Sequence, residues 1–123
     1  MPRAFLSVLI LSLFGSLTAF AQSKQEDVAI YVVTFVDVSP ATSAQTATVL
    51  QQFAADSRKD AGCVRFEVLR DFARANHLTV WEVWRSRGAF EAHLAAPYAK
   101  AMREKLQPML GSPFDERLHI LLP

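Results

Sequence analysis

The segment VAIYVVTFV, residues 28–36, constrains the fold most strongly because both of its alternating sets of side chains are apolar. Its β-branched and aromatic residues are typical of a β-strand. Alternate residues of a strand point to opposite faces of the sheet, so Val32 belongs to one face and Val33 and Phe35 to the other. A strand with two apolar faces is covered on both. We therefore expect helices on one face of its sheet and a second layer on the other.

Periodicity and turn residues predict the remaining elements in a regular order. Ser39 and Pro40 suit a helix start, and Gly62 suits a left-handed stop after that helix. The predicted elements are a strand at 28–36, a helix at 41–60, a hairpin of strands at 63–71 and 77–85, a helix at 87–94, a second helix from Pro97 to a stop at Pro108 and Gly111, and a strand at 117–122. This βαββαβ order predicts an α+β, ferredoxin-like sandwich.

The helices of such a fold cover only one face of the sheet. The third predicted strand carries Trp81 and Val83 on the side opposite Trp84, and an uncovered face of this kind marks an interface. A second copy packed sheet to sheet would cover it. We therefore expect a homodimer that forms through the sheet face.

The N-terminus resembles a secretory signal peptide. Arg3 precedes an uncharged apolar run at 4–17, and small residues occupy the −3 and −1 positions of the site at 19–21. The run has 14 residues, fewer than the roughly 20 that span a bilayer, which favours cleavage over the alternative of an uncleaved anchor. We expect cleavage after Ala21, export to a bacterial periplasm and no stable membrane anchoring afterwards. The mature chain would then have a polar leader at 22–27 and one domain at 28–123.

Charge and cysteine content narrow the class of protein. Without Arg3, twelve basic residues balance twelve acidic ones. The domain therefore lacks the excess of positive charge that is typical of nucleic-acid-binding proteins. Cys63 is the single cysteine, which excludes an internal disulfide. A buried small residue is the simpler interpretation of Cys63, and a reactive thiol is the alternative. No phosphate loop, metal-ligand cluster or nucleophile elbow occurs, and four glycines are too few for a flavin or nicotinamide fold.

Three short motifs in the middle of the chain carry a family resemblance. They are Gly62-Cys63 after the long helix, Glu82-x-Trp84 at the end of the third strand, and Ala89-Phe90-x-x-His93 on the next helix. In this order they resemble the antibiotic biosynthesis monooxygenase family, including its quinol-monooxygenase-like members. The resemblance implies a dimeric α+β barrel. It also implies oxygen insertion into small aromatic or quinol-type substrates without flavin, haem or metal.

That chemistry needs an apolar cavity with one or two polar groups. The resemblance suggests His93 as the proton acceptor, with Glu82 orienting it or binding a hydroxyl. Trp84 and Tyr98 would wall the aromatic ring. The remaining candidates for lining the cavity, depending on which sheet face meets the helices, are Tyr31 and Phe66.

Each candidate also has a purely structural interpretation. His93 could be a structural hydrogen-bonder, and Trp84 could pack in the core or a dimer interface. Glu82 lies in an apolar set of strand residues and needs a partner, because burying a lone carboxylate is costly. A structural salt bridge to one of the neighbouring arginines would supply that partner; the candidates are Arg65, Arg70 and Arg85.

Haem-degrading relatives of the same fold place an asparagine on the first strand and a histidine on the later helix. Here the first strand has no asparagine, and the corresponding helix positions are Lys100 to Arg103. Iron ligation of that kind is therefore not expected. The alternative to catalysis is a non-catalytic periplasmic dimer that binds an apolar or haem-like ligand.

Overall fold

A computed structural model describes residues 28–123; the predicted signal peptide (1–21) and polar leader (22–27) lie outside the described residues. The predicted order of elements is confirmed. The strands are β1 (Ile30–Asp37), β2 (Cys63–Arg70), β3 (His77–Trp84) and β4 (Asp115–His119), and the helices are α1 (Ser43–Ser57), α2 (Arg87–Ala95) and α3 (Pro97–Leu106). Short 3-10 turns at Pro40–Thr42 and Gln107–Met109 precede α1 and follow α3.

The four strands form one antiparallel sheet in the order β2-β3-β1-β4. This order, with the helices packed against the sheet, is the predicted ferredoxin-like arrangement. No helix in residues 28–123 is long and apolar enough to cross a membrane.

The core lies between the sheet and the helices. Val32 on β1, Trp84 on β3 and Phe66 on β2 are all buried there. The other face of the sheet carries Phe35, which is 40% exposed, and Leu69, which is 49% exposed. The first strand is therefore apolar on both sides, and the helices cover one of them.

Three local details differ from the sequence-based expectations. The first helix begins as a 3-10 turn at Pro40, and its α-helical part ends at Ser57. Alternation along the second strand would place Val64 on the same face as Phe66. Val64 instead lies at a β-bulge and is 64% exposed, whereas Phe66 is buried. The last strand was expected at 117–122 but ends at His119. His119 pairs with Tyr31, the second residue of β1, so β1 has almost no backbone left with which β4 could pair.

Gly62 holds the loop before β2 against α2. Its φ of 87° lies in the left-handed region, and a Cβ built there would stand 2.6 Å from the Cβ of Ala89. The Arg85 N–H donates a 2.8 Å hydrogen bond to the Gly62 carbonyl. Glycine is thus required both for the conformation and for the close approach. That approach sets the distance between this loop and the helix that carries His93.

Candidate active site

Glu82 and His93 form a buried polar pair between the sheet and α2. Glu82 is 3% exposed and His93 is 2% exposed. The Trp84 Nε1–H donates a 2.7 Å hydrogen bond to Glu82 Oε2, and His93 Nε2 lies 3.9 Å from the same oxygen. Within the described part of the chain Glu82 has no ion pair with Arg65, Arg70 or Arg85, so the structural salt bridge considered above is wrong. The buried carboxyl group has an indole and an imidazole as its partners instead.

The second nitrogen of His93 is held by two oxygens. His93 Nδ1 lies 3.0 Å from Tyr98 Oη and 3.3 Å from Asp60 Oδ2. The Tyr98 hydroxyl donates its hydrogen to Asp60, so the Tyr98 oxygen can only accept from His93. Both oxygens therefore act as acceptors toward Nδ1, so Nδ1 carries a hydrogen. In the neutral ring Nε2 is then the free base, and it faces Glu82.

Aromatic rings enclose the imidazole. Trp84 stacks on His93 with ring centroids 4.4 Å apart and an interplanar angle of 29°. Phe53 and Phe66 lie at centroid distances of 5.3 Å and 5.9 Å from the same ring. This burial lowers the pKa of His93, and the hydrogen bond and charge of Asp60 act in the opposite direction. The surroundings thus favour neutral His93 and leave Asp60 positioned to stabilise the protonated form when it occurs.

Burial raises the pKa of Glu82, whereas it lowers the pKa of His93. Desolvation raises the pKa of Glu82 to about 7, although the hydrogen bond from Trp84 acts to lower it. Burial also raises the pKa of the Tyr98 hydroxyl, and its hydrogen bond to Asp60 adds to this shift. Near neutral pH the site therefore combines a partly protonated carboxyl group with a neutral imidazole. Such a pair can both accept and donate a proton.

A cavity of about 20 Å³ adjoins this pair. It has room for about one water molecule. Thr34 Oγ1 is buried there without a hydrogen-bond partner among the described residues. The lining combines residues of β1, β3 and β4 with residues of the three helices and Phe114: Thr34, Val36, Leu50, Phe53, Val80, Glu82, His93, Met102, Arg103, Phe114 and Glu116.

The structure brings most of the predicted site residues together. Phe66, Trp84 and Tyr98 all contact or neighbour the imidazole of His93. Tyr31 does not join them: it pairs with Val83 and lies on the open face of the sheet, because the buried face of β1 is the one that contains Val32. The alternation of β1 could not decide between the faces, since both are apolar.

Sequence reasoning missed Asp60 and Phe53, which contact His93 directly, and the other residues that line the cavity. Asp60 lies in a polar loop three residues before Cys63, where a carboxylate carries no sequence signal of its own. Phe53 is one of several buried residues of α1, and nothing in the sequence distinguishes it from the others as a site residue. Within residues 28–123 no group of three or more histidine, cysteine, aspartate or glutamate side chains could hold a metal ion.

The model of the family described as antibiotic biosynthesis monooxygenase matches residues 29–105. The chain belongs to the antibiotic biosynthesis monooxygenase family. The matched region includes the strand that carries Glu82 and Trp84 and the helix that carries His93.

Individual relatives are distant. An uncharacterized protein of Synechocystis sp. is 28% identical over 96 residues, which cover 78% of this chain and 65% of that protein's length. A conserved protein from Methanosarcina mazei Go1 has a TM-score of 0.72 at 21% identity, covering 79% of this chain and 96% of its own. A Caulobacter crescentus CB15 protein, provisionally named an antibiotic biosynthesis monooxygenase, has a TM-score of 0.75 at 21% identity. The match covers 85% of this chain and 99% of that protein's chain. At these identities the solved structures establish the shared fold alone.

We expect Glu82→Gln to flatten the pH dependence of folding stability. Because the folded-state pKa of Glu82 is raised to about 7, the wild type loses stability as the pH rises from about 4.5 to 7 and changes little above that. Between pH 4 and pH 8 the variant should gain about 3 kcal/mol relative to the wild type. Urea unfolding at several pH values measures this difference. Glu67→Gln is the control, because this glutamate is on the open face; parallel curves for Glu82→Gln and the wild type would contradict the assignment.

Proposed function

We propose that this protein is a cofactor-independent monooxygenase that acts on small aromatic, quinol-type substrates. The observation that carries the proposal is the free Nε2 of His93, which faces a carboxyl group inside an aromatic enclosure. Membership of the antibiotic biosynthesis monooxygenase family supports the same class of reaction. The periodicity of the sequence alone would not distinguish this function from others of the same fold.

The proposed reaction needs little from the protein beyond binding and proton transfer. A deprotonated phenol or enol can pass an electron to dioxygen. With one O₂, a hydroquinone becomes a hydroxyquinone and an anthrone CH₂ becomes C=O, and each reaction releases one water. His93 Nε2 would accept the proton of the substrate hydroxyl, and Asp60 would stabilise the resulting imidazolium through Nδ1. Glu82, with a pKa of about 7, would then return a proton to the reduced oxygen.

Oxygen uptake by the purified protein tests this proposal, with a panel of hydroquinones and anthrone-like phenols and without added metal or flavin. We expect protein-dependent uptake that falls by at least about 100-fold in His93→Ala, because general-base catalysis contributes roughly 10²–10⁴-fold. His77→Ala is the matched control, since His77 pairs with Asp37 at the far end of β3.

Uptake that persists in His93→Ala would remove this residue from the mechanism. No uptake above the buffer rate, together with ligand quenching of tryptophan fluorescence, would favour the alternative of a non-catalytic protein that binds an apolar ligand. A Soret band on titration with haemin would identify that ligand as haem-like.

We further propose that the open sheet face forms a homodimer. Phe35 and Leu69 are about half exposed on this face, and guanidinium groups cover two of its rings: Arg117 lies 5.4 Å from Phe35 and Arg65 lies 4.7 Å from Trp81. Large apolar side chains exposed on a sheet face favour a protein partner. A second copy offers a matching surface because a two-fold interface uses the same patch twice.

Sedimentation equilibrium of Phe35→Asp tests the dimer. The dissociation constant should rise at least about tenfold, because a carboxylate would be buried in the interface. In the monomer the new aspartate can pair with Arg117, so folding should persist. Phe72→Asp is the control, since Phe72 is fully exposed in the loop between β2 and β3. Equal dissociation constants for the two variants would contradict the proposed interface.

The third proposal concerns location: the chain is exported and cleaved after Ala21. Expression of the full chain in a bacterium followed by osmotic-shock fractionation should release a protein whose N-terminus is Gln22. Replacing Ala19 and Ala21 by leucine should block cleavage, because signal peptidase needs small residues at these positions. Recovery of the uncleaved wild-type chain in the cytoplasm would contradict export.

A further inference from the structure

A surface groove of about 230 Å³ between α1 and α3 lies beside the buried cavity. The cavity itself, at about 20 Å³, holds about one water molecule and not an aromatic ring. The groove, unlike the cavity, approaches the roughly 300 Å³ at which ligand pockets begin. Its walls are largely apolar with a polar rim: Val49, Gln52, Phe53, Asp56, Tyr98, Ala101, Met102 and Lys105.

Phe53 and Met102 line both spaces and therefore form the partition between them. Phe53 is held by its neighbours: its ring meets Phe66 edge-on at 5.2 Å and lies 5.9 Å from Tyr98. Met102 is half-buried on α3, and its unbranched side chain has three rotatable bonds. Of the two, Met102 is the side chain that can move without rearranging the aromatic cluster.

We propose that the groove is the substrate-binding site and that Met102 is the gate between it and His93. This inference rests on the proposed function and defines its substrate class: a planar, largely apolar aromatic that carries one ionisable hydroxyl. The ring would lie against Phe53, Tyr98 and Ala101, and displacement of Met102 would let the hydroxyl enter the cavity toward His93 Nε2.

Tyr98 links the groove to His93. Its ring lines the groove, and its hydroxyl oxygen lies 3.0 Å from His93 Nδ1. A ligand in the groove therefore contacts the same side chain that holds the imidazole in its tautomer. Two other surface grooves, lined by residues 47–78 and 58–67, contain no residue that is hydrogen-bonded to His93.

The part of the cavity wall that contains Arg103 is a rival entrance. There Arg103 Nη2 donates a 2.7 Å hydrogen bond to Glu116 Oε2, and the Arg103 guanidinium lies 5.3 Å from the ring centre of Phe114. A charge-assisted hydrogen bond and a cation–π contact hold this wall closed. Met102 is held by dispersion contacts alone, so its displacement is the easier route.

Hydrogen exchange of the Trp84 indole N–H reports on the gate, because this N–H is bonded to Glu82, which lines the cavity. In Met102→Ala we expect this exchange to accelerate at least about tenfold, with the backbone amide of Val32 unchanged as a check on global unfolding. Met109→Ala is the matched control, since Met109 lines neither space. Unchanged Trp84 exchange in Met102→Ala, or acceleration in Glu116→Gln instead, would overturn the gate.

A second variant tests the groove without touching the core. Ala101 is exposed on α3, so Ala101→Phe should fold normally while filling the groove. We expect the dissociation constant of 2-naphthol, measured by tryptophan fluorescence, to rise at least about tenfold. Ala92→Phe, an exposed alanine of α2 outside the groove, is the control. No binding of 2-naphthol to the wild type, or equal affinity in Ala101→Phe, would overturn the proposed site.

The two proposals fail in distinguishable ways. Binding that Ala101→Phe abolishes, in a protein that consumes no dioxygen, would support the groove and contradict the monooxygenase. Dioxygen uptake that depends on His93 but is unaffected by Ala101→Phe would support the monooxygenase and overturn the groove.

Discussion

The register between β1 and β3 decides which polar groups this fold must bury. Val32 pairs with Glu82, so both side chains point toward the helices. A shift of one residue would turn Glu82 and Trp84 to the open face and bring Trp81 inside. With the observed register a carboxyl group enters the core, and such a group is tolerated only where hydrogen-bonding partners meet it. Trp84 on the same strand donates that hydrogen bond, and His93 on α2 lies 3.9 Å from the same carboxyl oxygen, so the register links the sheet to the chemistry.

The site depends on contacts between distant parts of the chain. Asp60 follows α1, His93 lies on α2 and Tyr98 begins α3, yet their polar atoms meet at one imidazole nitrogen. The close approach of Gly62 to Ala89 brings the first of these segments against the second. As a result, His93 Nδ1 is hydrogen-bonded, and Nε2 is free to accept a proton. Burial then favours the neutral forms of both His93 and Glu82, so the imidazole can accept a proton and the carboxyl group can donate one.

The size of the cavity connects this proton chemistry to substrate binding. A space for about one water molecule beside His93 can exclude solvent, but it cannot admit a ring while Met102 stays in place. The groove on the other side of Met102 has the missing volume and an aromatic wall. A small reaction site with a separate binding groove would suit the proposed reaction, in which the substrate itself reduces dioxygen and the protein controls the proton.

The resemblance of short motifs to a known family grouped Glu82, Trp84 and His93. Local patterns in the sequence determined the order of elements, the ferredoxin-like fold and the shared strand face of Glu82 and Trp84. These follow from residue spacing, which alone decides which side chains share a face of a strand or helix. The tertiary structure decided which face of β1 meets the helices, and so it separated Tyr31 from the site and buried Thr34 within it. It also decided the partners of His93, since Asp60 and Tyr98 lie 33 and 5 residues away from it in the chain. Contacts between separate elements depend on how helices and sheet pack together, and periodicity within one element carries no information about that packing.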